Sequence, residues 1–156
     1  MSDLPPAAAR VQEALCAAGS EARVREMPAS TRTADDAARA CGVAVGAIVK
    51  SLVFRAGEAP VLVLTSGANR VDEAALGERL GLRLDRADAA FVREATGFAI
   101  GGVPPLGHRA RMRVVIDRDL RGHPVLWAAA GTPRAVFPTT ADELERLTGG
   151  TVAAVA

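Results

Sequence analysis

Two short apolar runs dominate the middle of this chain, AIVKSLVF (47–54) and PVLVLTSG (60–67). Both are rich in β-branched residues and too short for buried helices, so they predict two central strands. The intervening RAGEA, with Gly57, predicts a hairpin turn. Before them, residues 5–18 carry Val11, Leu15 and Ala18 on one helical face, with Pro5 and Pro6 suited to the first turn and Gly19 as the stop. Residues 22–27 alternate as a half-buried strand. Thr33 then reads as an N-cap, with Asp35 and Asp36 in the first turn of a helix that Gly42 closes. After the hairpin, the pattern predicts a helix over 71–80, a short strand in LRLDRAD, a helix over 87–97 and a strand over 111–117. Two further strands, 125–131 and 134–139, flank a Gly-Thr-Pro turn. Thr140 and Glu143 have capping-box spacing ahead of a helix over 141–148, and TVAAV predicts a last strand. About five helices and six to seven strands that do not alternate regularly predict a single α+β domain with a mixed sheet.

Composition narrows the function classes. A length of 156 residues fits one domain, and no apolar stretch approaches the ~20 residues of a membrane span. The N-terminus lacks a basic leader and carries Asp3 and Glu13, so no signal peptide is expected and the cytoplasm is the expected compartment. Cys16 and Cys41 stand outside any C-x-x-C pair and read as small core residues rather than nucleophiles. His108 and His123 lie far from both, so neither a metal nor a cofactor is expected. A net charge of +1 and 3% aromatic content, with no tyrosine, argue against a broad basic surface for duplex DNA or a stacking platform for single strands.

The chain has a single lysine, Lys50, among its 19 basic residues. A compact ammonium is retained inside an apolar run where arginine is otherwise the preferred cation. It is either an accident on an exposed strand face or a position that needs an ammonium. Residues 97–108, GFAIGGVPPLGH, break every regular period. Gly101 and Gly102 let a ligand approach the backbone, and Pro104 and Pro105 stiffen it. Such a loop either presents fixed N–H and C=O groups to a polar ligand or developing oxyanion, or merely crosses from helix to strand. It is not a phosphate loop, because no G-K-[ST] follows. Ser30, Thr31 and Arg32 precede a helix N-terminus and read equally as an anion site or as capping. Ser66, Gly67 and Asn69 read first as a strand-to-helix turn, and Arg109, Arg111 and Arg113 as a solvated strand entry or a small phosphate contact. Trp127 reads as a core or pocket-wall ring.

Five segments, PASTRTADDAA, GAIVKSLVF, SGANRVDEAAL, TGFAIGGVPPLGH and WAAAGTPRAVF, occur in the order of a known family. From about residue 10 to 155 the chain resembles the YbaK family, free-standing relatives of the editing domain inserted in bacterial prolyl-tRNA synthetase. The resemblance implies a curved mixed sheet flanked by helices and hydrolysis, in trans, of the ester of wrongly charged aminoacyl-tRNA. It places the family's essential lysine at Lys50, engaging phosphate near the terminal adenosine. It places the glycine-x-x-x-proline motif on Gly101 through Pro105, with Gly102, Val103 and Pro104 inside it, and a pocket-side glycine turn at Gly131. Ser30, Thr31, Ser51, Ser66, Gly67 and His108 complete the expected substrate-binding set. Where some relatives carry asparagine after the lysine this chain has Ser51, and where some carry a histidine near the turn it has Pro133 and Arg134.

The implied mechanism has Lys50 anchoring phosphate while the 101–105 backbone holds the acyl group and stabilises the oxyanion. His108 reads as an orienting residue, not a base, and a free ribose hydroxyl helps to activate water. The expected substrate carries a small amino acid of alanine, cysteine or serine type on tRNA for proline. A protein of this charge either touches only the mischarged tRNA acceptor end or acts beside an aminoacyl-tRNA synthetase that holds the tRNA. The alternative is a non-catalytic module that binds a nucleotide or the aminoacylated tRNA end.

Overall fold

The computed structural model describes residues 3–156. Five helices, α1 (Pro6–Ala17), α2 (Ala34–Cys41), α3 (Glu73–Leu80), α4 (Ala89–Thr96) and α5 (Ala141–Thr148), surround one mixed sheet. Its strands are β1 (Arg25–Glu26), β2 (Ile48–Ala56), β3 (Ala59–Ser66), β4 (Asp85–Arg86), β5 (Arg113–Asp117), β6 (Leu126–Ala129), β7 (Ala135–Thr139) and β8 (Thr151–Ala153). The order is β1-β7-β6-β2-β3-β5-β8, with β4 also on β2. The β2–β3 and β6–β7 pairs are antiparallel, while β2–β6, β3–β5 and β5–β8 are parallel. This is the α+β single domain that the irregular succession of periods implies.

Helices α2 to α5 begin where short polar side chains can take the orphan N–H groups of the first turn, whereas α1 starts on prolines without a side-chain cap. Thr33, Asp72, Asp88 and Thr140 each accept from the backbone N–H three residues on. The capping box at Thr140 is only half made, because the Glu143 carboxylate is bound by Arg146 instead. The strand expected over 22–27 shrinks to Arg25–Glu26, the two residues in register with β7, and the Met27 N–H donates to the Arg134 carbonyl just beyond them. Two 3-10 turns, Val45–Ala47 and Arg118–Gly122, carry no hydrophobic period and were not legible. Cys16 departs from expectation. Ala8, Val11 and Leu15 take the buried stripe of α1 and leave Cys16 exposed on the opposite face. Cys41 is half-buried, and burial pushes its thiol up, against the pull of Arg25.

Strand β3 lies at the centre with both faces covered, which explains its unbroken apolar run. Leu62 and Leu64 pack with α1, α4 and α5 on one face, and Val61 and Val63 with Leu76 of α3 on the other. Each such side chain contributes about 1.5–3 kcal/mol through burial. Strand β2 is equally central in the sheet, yet residues 50–53 are only half-buried. The sheet topology gives the reason. On the side away from β3, β6 covers only Ile48 and Val49, and β4 covers only Phe54 and Arg55. The middle of β2 therefore borders a gap.

Candidate functional site

That gap opens into a cavity of about 1080 Å³, at the upper end of the range for small-ligand pockets. The backbone at the gap is polar. The Gly67 N–H donates to the Ile48 carbonyl at 2.7 Å, so Ile48 and alternate residues after it turn their polar groups toward β3. Val49 and Arg55 turn theirs to β6 and β4. Between them, the backbone N–H and C=O groups of Ser51 face the gap without a strand partner. The Ser51 hydroxyl is also buried with no hydrogen-bond partner. A buried polar group in that state costs free energy unless a ligand or water satisfies it.

Lys50 is half-buried and lines the cavity. Its Nζ donates to the Asn69 carbonyl at 2.8 Å. An ammonium has three donors, so two remain for a ligand. Burial holds the Lys50 ammonium below the ordinary lysine pKa, the neighbouring Arg70 adds to the effect, and Asp117 opposes it. Arg32 and Arg70 also line the cavity, and neither makes an ion pair among the described residues. Three cations outside any ion pair thus line one cavity, together with Asp35 and the Arg86–Glu73 pair, while Leu52, Val53, Phe54, Val92 and Trp127 make the interior apolar. Such a site suits a ligand with an anionic end and a compact, less polar end. Trp127 is a pocket wall, as its position predicted, with the Arg25 guanidinium 5.4 Å from its ring centre.

The 97–108 loop forms the opposite wall through Ile100, Gly101 and Val103. The Arg32 side chain lies across Gly101, with Cγ 3.1 Å from where a Cβ would stand. The Gly102 N–H is taken by the Ala99 carbonyl at 3.2 Å, and Pro104 and Pro105 have none. The N–H groups of Gly101 and Val103 make no hydrogen bond among the described residues. Within 101–105 these two are the backbone donors left for a ligand.

Other expected site residues support the wall rather than line it. Gly102 docks face to face on Gly131, whose N–H donates to the Gly102 carbonyl at 2.8 Å. Pro104 and Pro105 are buried beneath the loop. His108 donates from Nε2 to the Pro104 carbonyl at 2.6 Å, which fixes its tautomer, and packs edge-on to Phe98. Burial lowers its pKa, against the effect of the Pro104 bond. Thr31 lines the cavity and is pinned to the Pro133 carbonyl by its N–H and its hydroxyl. Ser30 points to a separate shallow depression beside Asp36. Gly67 lines the cavity, whereas the Ser66 hydroxyl is spent on the Gly46 carbonyl at 2.8 Å. The structure therefore brings Thr31, Lys50, Ser51, Gly67, Gly101 and Val103 together on the cavity.

Sequence reasoning missed two contributors. Arg70 was indistinguishable among many arginines, although it directly follows the Asn69 that holds the lysine. The backbone edge of β2 is visible only once the short partners of β2 are known. Among the described residues no three His, Cys, Asp or Glu side chains cluster as a metal site, and no helix is long and apolar enough to cross a membrane.

Residues 28–147 match the family model of the aminoacyl-tRNA editing domain. The uncharacterised protein YwhH of Bacillus subtilis is 30% identical over 122 residues, 78% of either chain. The proline–tRNA ligase of Xanthomonas axonopodis is 34% identical over 105 residues, 67% of this chain but only 19% of the ligase. A solved protein with the suggested role of a trans-editing enzyme for prolyl-tRNA synthetase superposes with a TM-score of 0.93 at 51% identity, over 98% of both chains.

Proposed function

Because the chain belongs to the aminoacyl-tRNA editing domain family, we propose that it is a hydrolase that deacylates mischarged aminoacyl-tRNA in trans. The observation that carries this reading is the Lys50 ammonium, held by one carbonyl at the mouth of a cavity whose facing wall offers the unpaired N–H groups of Gly101 and Val103. Lys50, with Arg32 and Arg70 beside it, anchors phosphate next to the terminal ribose of the acceptor end. The aminoacyl ester then lies along the gap, between Ser51 and the 101–105 loop. Water adds to the ester carbonyl, and the N–H groups of the loop stabilise the resulting oxyanion. Collapse of the tetrahedral intermediate breaks the acyl–oxygen bond. The ribose oxygen leaves with a proton, giving free amino acid and intact tRNA.

The base is assigned to the substrate. His108 is committed to Pro104 and Glu73 on the cavity wall is bound to Arg86, while Asp35, in the first turn of α2, also lines the cavity and makes no ion pair among the described residues. A free ribose hydroxyl beside the ester is placed to take the water proton. An aminoacyl ester is reactive enough that positioning and oxyanion stabilisation suffice. Gly102, Pro104, Pro105, His108 and Gly131 contribute by holding the loop rigid, and Thr31 and Gly67 by shaping the wall. Ser30 and Ser66 contribute through the turns they stabilise.

The acyl group is proposed to be small, of alanine, cysteine or serine type, on tRNA for proline. The ligase relative and the suggested role of the solved neighbour support the choice of tRNA for proline. Acting in the cytoplasm, the protein touches little more than the acceptor end, in keeping with a net charge of +1, and a synthetase that holds the tRNA body is the natural partner. The alternative is a module that binds the aminoacylated end without hydrolysis. A panel of tRNAs mischarged with alanine, cysteine and serine separates the two. Release of at least one amino acid at a rate proportional to enzyme supports hydrolysis, and tight binding with no release refutes it.

A further inference from the structure

Asp117, the last residue of β5, lies outside the cavity and is 1% exposed. Its Oδ2 accepts from Thr65 Oγ1 at 3.0 Å, from the Ser66 N–H at 2.9 Å and from Asn69 Nδ2 at 2.8 Å. Its Oδ1 accepts from the Asp119 N–H at 2.9 Å. Four donors offset the cost of burying a carboxylate. Three of them come from the end of β3 (Thr65 and Ser66) and the turn after it (Asn69), so one carboxylate ties that segment together from 65 to 69. The Asn69 amide also donates to Asp119 Oδ2 at 2.8 Å, and both its N–H groups are thereby fixed between two carboxylates. The backbone carbonyl of this clamped Asn69 is the acceptor for Lys50.

We propose that Asp117 is a positioning residue for Lys50, acting through Asn69 to hold the ammonium at the cavity mouth with two donors free for a ligand phosphate. The inference rests on the reading of Lys50 as the phosphate anchor. A lysine tied to nothing would sample many rotamers and would lose that freedom on binding. Tied to a fixed carbonyl, it has already lost it. The electrostatics point the same way, since Asp117 favours the charged form that burial and Arg70 oppose. The arrangement also accounts for lysine over arginine. One carbonyl at 2.8 Å takes one of three tetrahedral donors, whereas a planar fork of greater width would displace the turn.

The single lysine makes the test direct. Protein labelled with side-chain ¹⁵N-lysine gives one ammonium signal, from Lys50. Asn69→Ala removes the amide clamp and keeps the backbone carbonyl, and Asp117→Asn keeps the shape of the anchor but not its charge. In each, the Lys50 signal is expected to move and to titrate at lower pH than in wild type. Deacylation is expected to lose about tenfold in kcat/KM, mainly through KM. Asn69, half-buried at the turn, is the deciding variant if Asp117→Asn does not fold. A folded Asn69→Ala whose Lys50 signal and titration match wild type overturns the proposal, because a purely structural role would leave the lysine unmoved. The spectrum does not depend on turnover. A wild-type protein that deacylates nothing therefore refutes the functional reading alone, and an active protein with an unmoved lysine refutes this inference alone.

Discussion

Gly102→Ala probes the wall that carries the 101–105 loop. A methyl at this position falls 2.8 Å from Gly131 C, 2.8 Å from Thr132 N and 2.9 Å from Gly131 O, where ordinary contact begins near 3.4 Å. All three atoms are backbone, so no side chain can rotate away. Gly131 must retreat by roughly half an ångström, yet a methyl there would itself stand 2.7 Å from the Ala7 carbonyl of α1, so the path is closed. The Gly131 to Gly102 hydrogen bond is strained in the same movement. Overpacking of this kind costs about 1–3 kcal/mol, which at this chain length lowers Tm by about 2–10 °C. The flanking Gly101 and Val103 move with Gly102, and a shift of this size at positioned donors is expected to cost about 10- to 100-fold in kcat/KM. The assay pairs thermal unfolding with deacylation of the best mischarged tRNA. Gly122→Ala is the control, because a methyl there meets nothing within 4 Å. If Gly102→Ala matches Gly122→Ala in both Tm and rate, the docking of the loop on Gly131 does not hold the site and the reasoning is refuted.

Two other variants test the site from different sides. Ser51→Ala removes a hydroxyl that has no partner, so stability should stay within about 0.5 kcal/mol of wild type or rise, while KM or the choice of amino acid changes. Chemical denaturation beside the mischarged-tRNA panel checks both, and a stability loss well beyond that range would mean the hydroxyl is bonded. His108 is held below its ordinary value near 6.5 by burial, so the folded protein prefers the neutral ring. Its contribution to stability is complete above about 6.5, is lost as pH falls below that value, and levels off below the lowered folded pKa. His108→Gln keeps a donor for Pro104 but does not titrate, so denaturation midpoints measured from pH 7 to pH 5 should fall less than in wild type.

Much of the fold was legible because its signals are local. Thr33 and Thr140 are short polar side chains placed where a helix needs its first N–H groups satisfied, and the structure uses both as N-caps. The β2–β3 hairpin was equally plain, since two β-branched runs flank a short glycine turn. The gap beside β2 was not legible, because hydrophobic period reports which face of a strand is buried and not whether its edge is paired. Within the site, Lys50 stood out by rarity and Arg32 by its place before a helix N-terminus, but Arg70 was hidden by a chain that uses arginine for nearly every cation. Asp117 looked like an ordinary strand end. Its role depends on the parallel β3–β5 pairing, which brings it beside Thr65 and Ser66. Cys16 was misplaced because the buried stripe of α1 runs through Ala8, Val11 and Leu15, and a small neutral residue looks the same on either face of a helix.

The central claim is that the Lys50 ammonium anchors the substrate phosphate at the cavity mouth. Deacylation by wild type and Lys50→Ala, measured as kcat/KM on the tRNA that the panel identifies, tests it most directly. Loss of a charge-assisted contact predicts a fall of about 10- to 100-fold with the fold unchanged by circular dichroism. A Lys50→Ala protein within about twofold of wild type would contradict the account.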